Sequence, residues 1–389
     1  MAFFFVPCLC MIVRLLLRVF FMTLEIAVLL VAGLAILTFG ADLLVRGSVK
    51  LAYFFGISPL VTGLTIVAFG TSAPELAVSL NSALEGNADI AMGNVVGSNI
   101  CNILLILGLS AVLLPLVVRQ QLIRVDVPIM IGISLLLYWL AMDGVVSRTE
   151  GLILFGIVIV YVAFLIWLEK RELPEVEKEY EAEYKPQEPI TQRGALLNGI
   201  VAVTGLTLLI VGADWMVDGA VQLARSLGVS ELIIGLTIVA LGTSLPEVAT
   251  SVVAALKGER DIAVGNVVGS NIFNILSVLG LSAAIAPAGV AVSPTALAFD
   301  LPVMAAVAIL CLPIFFTGSV ISRPEGAILL FYYIAYLTFL ILDATRSHAL
   351  SWYREVMMLI VIPATVSYVF FEVFRHIRAA RTSKSRQTS

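Results

Sequence analysis

Charge is scarce in this 389-residue chain: Asp, Glu, Lys and Arg make up 13% of it, against 60% hydrophobic residues and a mean hydropathy of +1.06. A soluble domain carries about 25% charged residues, so most of this chain is built for lipid. Histidine is scarcer still, occurring only as His348 and His376 in the C-terminal tail. The four cysteines (Cys8, Cys10, Cys101, Cys311) sit in apolar surroundings without metal-ligand spacing. A zinc, copper or haem centre has almost no ligands here, and no nucleophile and base pair is evident. The sequence therefore points to no catalytic residue, no enzyme and no cofactor. A net charge of −4 and a pI near 5.4 offer no basic face for nucleic acid.

What the chain does have is apolar runs of spanning length, about 20 residues each. They predict helices near 24–45, 58–84, 90–116, 124–142 and 150–168, then near 196–221, 230–256, 262–286, 296–316 and 325–342. Between the two sets, residues 169–193 hold eight glutamates, five Lys or Arg and three prolines, and read as a solvated acidic linker. At a fixed offset of 172, residues 63–111 and 235–283 are identical at 35 of 49 positions without a gap. The echo extends to ADLLVRG at 41–47 against ADWMVDG at 213–219, and to SRTEG at 147–151 against SRPEG at 322–326. The repeat unit is thus a five-helix half, 23–168 and again 194–342. Because five is odd, the second copy enters the membrane from the opposite side. The predicted fold is an all-α integral membrane protein with a ten-helix core of two inverted five-helix repeats.

Lys and Arg test this count, since they collect on the cytoplasmic side of short loops. The linker side holds Arg46, Lys50, Arg119, Arg124, Lys170, Arg171, Lys178, Lys185, Arg193, Lys257, Arg260 and Arg323; the other side of the core holds Arg148, Arg225, Arg346 and Arg354. The linker is accordingly expected in the cytoplasm and the protein in the cell membrane. Residues 1–22 are an N-terminal apolar extension, broken by Arg14 and Arg18, that reads as an extra span, an interfacial helix or, the favoured reading, an upstream segment ahead of a start at Met22. Within the C-terminal extension 343–389, residues 356–374 could form an eleventh span delivering a basic tail to the cytoplasm. Oligomeric state is not legible.

Of 27 acidic residues, only Glu75 and Glu247 fall deep inside the predicted core spans, in GTSAPE (70–75) and GTSLPE (242–247). An ionised carboxylate there is costly and needs a partner, yet those spans contain no Lys, Arg or His. A bound cation or a proton is left to neutralise it. Pro74 lacks an N–H and clashes with the carbonyl four residues back, so the helix is expected to open and free carbonyls near Ala68 to Thr71. Thr71, Ser72 and Glu75 share a helix face, and Thr243, Ser244 and Glu247 repeat the patch around Pro246. Hydroxyls, carboxylates and carbonyls are hard oxygen donors suited to Na⁺, Ca²⁺ or Mg²⁺. The next span in each half carries GNVVGSN, at 93–99 and 265–271, with a small-residue face and a polar stripe: Asn94, Ser98, Asn102 and Asn266, Ser270, Asn274. Kinking prolines, back-bonded hydroxyls and small-residue faces are, singly, ordinary features of membrane helices. The duplicated mid-span carboxylate is what turns the reading toward function. Asp42 and Asp214, near predicted helix ends, and Asp126 and Asp300, before Pro128 and Pro302, read as caps or interface residues.

GTSAPE with GNVVGSNICN, and GTSLPE with GNVVGSNIFN, resemble the paired alpha-repeats of the sodium/calcium exchanger family within the cation/Ca²⁺ exchanger superfamily. The resemblance covers roughly residues 23–342. It implies an antiporter in which Na⁺ and Ca²⁺ compete for overlapping midplane sites. By position, the implied ligands are Glu75, Glu247, Thr71, Ser72, Thr243, Ser244, the carbonyls of Ala68 and Ala240, and Ser98, Ser270, Asn102 and Asn274. Several members of the family carry an aspartate at the position of Asn274, or of Asn102 in potassium-dependent relatives. Here both are amides. Two carboxylates match one Ca²⁺, and could equally exchange it for protons. A Ca²⁺/H⁺ antiporter on the same fold and a cation channel are the rival readings.

Overall fold

In the computed structural model the backbone is described over residues 2–184 and 191–387. The first repeat comprises α1 (Thr23–Phe55), α2 (Pro59–Thr71), α3 (Ala73–Leu84), α4 (Ala88–Leu113), α5 (Leu122–Asp143) and α6 (Arg148–Glu169). The second comprises α7 (Gln192–Ser226), α8 (residues 231–242), α9 (Leu245–Leu256), α10 (Arg260–Ile285), α11 (Ala296–Phe316) and α12 (Arg323–Ala344). α13 (Ala349–Arg375) follows. Among the described residues nine helices are long and apolar enough to cross a membrane, and α2 with α3, bent by 46°, makes a tenth. The mirror of that bent pair is α8 with α9. With α8–α9 taken as the second broken span and α13 set apart, the core is the ten-helix inverted repeat that the sequence predicts.

The first helix of each repeat is longer than its hydropathy suggests. α1 was expected to stop near 45, where Arg46 and Lys50 interrupt the apolar run. Charge does not break a helix, however, and α1 continues until Gly56 adopts φ +63°. Its mirror Gly228, at φ +78°, ends the turn after α7 in the same way. The helix containing α1 begins at Ala2, and that containing α6 continues to Tyr184; residues 185–190 of the expected linker lie outside the described residues. Glu169, at the head of the linker, is not simply solvated: its carboxylate accepts from the Ser58 backbone N–H (2.9 Å) and hydroxyl (3.0 Å). The eleventh predicted span forms as α13. It touches the core through Tyr332 to Thr365 (2.8 Å) and Tyr353 to the Ala335 carbonyl (2.8 Å).

Two short antiparallel ties join the halves. β1 (Leu116–Val117), in the α4–α5 loop, pairs with β4 (Val320–Ile321), in the α11–α12 loop. β2 (Val145–Val146), in the α5–α6 loop, pairs with β3 (Val290–Ala291), in the α10–α11 loop. Counting spans puts the first pair of loops on the linker side and the second on the opposite side. Each tie therefore joins loops that the inverted arrangement places on the same face. At the centre lie α4 and α10, whose most apolar windows are 78% and 100% buried. α1 and α7 pack against each other on the flank, backbone to backbone: a Cβ on Gly205 would lie 2.4 Å from the Leu44 nitrogen, and one on Gly40 2.6 Å from the Leu209 nitrogen. Only glycine allows this approach.

Candidate functional site

The expected break in the second span is present at Ser72, between α2 and α3, and Pro74 stands in the first turn of α3. Ser244 and Pro246 repeat the arrangement before α9. Further irregularity flanks the break. Wide π turns occupy Gly63–Val67 and Gly235–Val239 ahead of it, and Asn102–Leu107 and Asn274–Leu279 on the facing helices. Such turns are rare and concentrate at functional sites. One expectation needs correction. The Ala68 carbonyl is not free, because the Ser72 N–H reaches it at 3.0 Å and the Thr71 hydroxyl lies 3.3 Å away. Proline removes only its own N–H, and the residues just before it still close their turn. In the second half the Ser244 N–H bonds the Leu241 carbonyl instead (3.1 Å), and Ala240 is exposed where Ala68 is buried.

Glu75 and Glu247 are buried to 0% and 1% exposure. They are held reciprocally. The Ser72 hydroxyl donates to Glu247 Oε1 (3.1 Å), and the Ser244 hydroxyl stands 3.2 Å from Glu75 Oε1. Ser72 and Glu75 share one turn, as do Ser244 and Glu247, so the two contacts close a ring that brings the carboxylates of opposite halves together. Around it, Thr71 Oγ1 lies 3.2 Å from Asn266 Oδ1 and Thr243 Oγ1 3.2 Å from Asn94 Oδ1. Asn94 Nδ2 donates to Ser79 (2.8 Å) and the Glu75 carbonyl (3.1 Å); Asn266 Nδ2 donates to Ser251 (2.9 Å). Ser98 Oγ is 3.1 Å from Ser244 Oγ.

The predicted polar stripe thus faces the glutamates, and Asn94 and Asn266 are its structural anchors. Of the remaining predicted residues, Asn274 donates to Asn99 Oδ1 (3.1 Å), while the buried side chains of Ser270 and Asn102 have no hydrogen-bond partner among the described residues. Glu75 Oε2, Glu247 Oε2 and Asn274 Oδ1 are likewise buried and unpartnered. Buried polar atoms are ordinarily satisfied, so a cluster of orphaned oxygens around two carboxylates suits a hard cation. Sequence reasoning missed Asn99 and Asn271. Asn99 Nδ2 donates to the Asn271 carbonyl (3.2 Å), binding the two central helices across the pseudo-twofold. Both asparagines fall off the i, i+4 stripe; their signal was the repetition of SN in both copies. Of the aspartates read as caps or interface residues, Asp126 and Asp300 stand at the N-cap positions of the regular α-helical segments Val127–Leu140 in α5 and Leu301–Phe316 in α11, but use their side chains between helices: Asp126, fully buried, accepts from Tyr161 (3.2 Å), and Asp300 from Tyr336 (3.0 Å).

The packing around the site is asymmetric. α2 lies directly on α10: a Cβ on Gly265 would meet the Leu60 carbonyl at 2.9 Å, and one on Gly269 the Leu64 carbonyl at 2.6 Å. In the mirror pair, α8 and α4, the same added atom at Gly93, Gly97 or Gly235 would meet nothing within 4 Å. Val239 on α8 is 49% exposed and its mirror Val67 is 0% exposed.

The sequence profile described as "Sodium/calcium exchanger protein" matches residues 25–167 and 198–342, the two repeats. This chain belongs to the sodium/calcium exchanger family. The putative antiporter CaxA of Alkalimonas amylolytica is 42% identical over 308 residues, covering 78% of this chain and 95% of CaxA. The sodium/calcium exchanger MaX1 of Methanosarcina acetivorans is 35% identical over 342 residues (80% and 97%), and the inner membrane protein YrbG of Escherichia coli K12 40% over 286 (72% and 86%). Among solved structures, the sodium-calcium exchanger NCX_Mj superposes with a TM-score of 0.68 at 30% identity, covering 81% of this chain and 98% of that one. The family is one of multi-pass membrane transporters, not of enzymes, and this exchanger has its inverted-repeat fold.

Proposed function

We propose that this exchanger carries Ca²⁺ against Na⁺ by alternating access, at a site built from Glu75, Glu247, Thr71, Ser72, Thr243, Ser244, Ser98, Ser270, Asn102, Asn274 and the backbone carbonyl of Ala240. The observation that carries the reading is the reciprocal ring of two buried carboxylates, each held by a serine of the other repeat. One Ca²⁺ offsets both charges. Several Na⁺ compete for the same oxygens. With neither bound, two carboxylates would have to cross a low-dielectric barrier uncompensated, which is what couples the two fluxes instead of permitting leak. The glycine-lined contact joins α1 and α7 backbone to backbone into one unit, which slides as a pair over the rest of the core.

The bias of Lys and Arg toward the linker supports a cytoplasmic linker in a cell membrane and the open α8–α4 side facing outward. A second reading has its own support. Amides at 102 and 274 leave two carboxylates, a number that also matches two protons per Ca²⁺. The test is proteoliposome uptake of ⁴⁵Ca²⁺ with Na⁺, H⁺ and K⁺ gradients imposed one at a time. Uptake driven by Na⁺ alone upholds the proposal. Uptake driven by a pH gradient in sodium-free buffer replaces it with Ca²⁺/H⁺ exchange, and conductance without a counter-ion makes the protein a channel.

A further inference from the structure

Where the two repeats are identical they contribute equally to both conformations of an alternating-access cycle; where they differ, they bias it. The most consequential difference in charge lies where the first helix of a repeat meets the end of the broken helix. Asp42 on α1 forms an ion pair with Lys257, which caps α9, and accepts from Arg46 Nε at 2.8 Å. The positions 172 away are Asp214, Asp218 and Glu85. One end has an acid and two cations; its mirror has three acids. The packing differs in the same sense. α1 lies along α9, whereas among the described residues α7 and α3 share at most sparse contact.

We propose that the Asp42–Lys257 ion pair is a one-sided latch, holding α1 against α9 and keeping the exchanger closed between α2 and α10 and open between α8 and α4. The inference rests on the alternating-access reading above. In an inverted repeat the opposite conformation exchanges the roles of the halves. α1 would then leave α9, breaking the ion pair, while α7 would settle on α3, bringing Asp214 and Asp218 toward Glu85. Loss of an attraction and gain of a repulsion both disfavour that state. Lys257 and Asp42 are 28% and 22% exposed, so the latch weakens with ionic strength but is not abolished by it. Lys257 is in this sense a positioning residue. It touches no transported ion and sets how often the site faces each way.

The experiment reads conformation and not flux. Val239, half exposed in the α8–α4 opening, is replaced by Cys in a background with Cys8, Cys10, Cys101 and Cys311 changed to Ala. Its labelling by a membrane-impermeant maleimide is followed at fixed ion composition and low ionic strength. Lys257→Gln is expected to slow labelling by about threefold or more, in proportion to the lost open population. Lys257→Arg should restore the rate. Glu85→Lys, which supplies a cation to Asp214 at the mirror end, should slow labelling with Lys257 intact. Unchanged labelling in Lys257→Gln overturns the latch. If that variant does not fold, unchanged labelling in Glu85→Lys, at an exposed position, overturns it. Loss of Na⁺-driven uptake alone, with these shifts present, would instead remove the Na⁺/Ca²⁺ reading and leave the latch standing.

Discussion

A carboxylate at the centre of a membrane has few tolerable states, and that is why Glu75 and Glu247 were legible before any coordinates. The cost of an uncompensated charge in lipid is large enough to single them out of 27 acids. Their serine partners could be narrowed to a helix face but not paired, because hydrogen bonding across the pseudo-twofold depends on distances no linear pattern carries. Glu75→Gln and Glu247→Gln each keep an amide oxygen for the opposing serine and remove the charge. Both variants are expected to remain monodisperse with little change in Tm, while Ca²⁺ uptake falls to background. Survival of uptake in both would place the site elsewhere. Asn94 offers a finer test. It accepts near Thr243 and donates to Ser79 and the Glu75 carbonyl. Asn94→Ala should leave buried partners unsatisfied, costing about 1–2 kcal/mol of folding stability, read as a lowered Tm.

At the scale of elements, the sequence showed where helices exist and where they break, but not how wide their turns are. Pro74 and Pro246 announce the breaks through a missing N–H. The π turns beginning at Gly63, Asn102, Gly235 and Asn274 have no such chemical mark. Asn102 and Asn274 open two of these turns, so the i, i+4 spacing that defines the stripe holds up to them and not beyond. Hydropathy likewise ended α1 at its first arginine, although the backbone stops only at Gly56. The α1–α7 contact allows a quantitative test of an element. Gly205→Ala places a Cβ against the Leu44 nitrogen and should separate the helices, costing about 1–3 kcal/mol and lowering Tm. Gly199, six residues earlier on α7, has open space around its added Cβ. Gly199→Ala should be neutral or stabilising by up to about 1 kcal/mol through helix propensity. Equal effects from the two would refute the close-contact account.

For the whole molecule, the duplication was plain at an offset of 172, yet the conformation was not, and the reason is physical. GNVVGSN occurs in both halves, so one sequence occupies two environments, packed on α2 in the second repeat and open toward α8 in the first. No rule that maps local sequence to local structure can return both. The difference is a property of the state, and it makes the same substitution act with opposite sign in the two copies. Gly269→Ala puts a methyl 2.6 Å from the Leu64 carbonyl and 2.8 Å from the Ala68 side chain, penalising the conformation seen here. Gly97→Ala meets nothing in this conformation and should meet the equivalent backbone of α8 in the opposite one. With Val239→Cys as the reporter, Gly269→Ala is expected to slow labelling and Gly97→Ala to speed it or leave it saturated. Both should slow exchange, because a cycle needs both closures. If both variants moved labelling in the same direction, the halves would not be trading places, and alternation of two inverted repeats around the two glutamates would have to be abandoned.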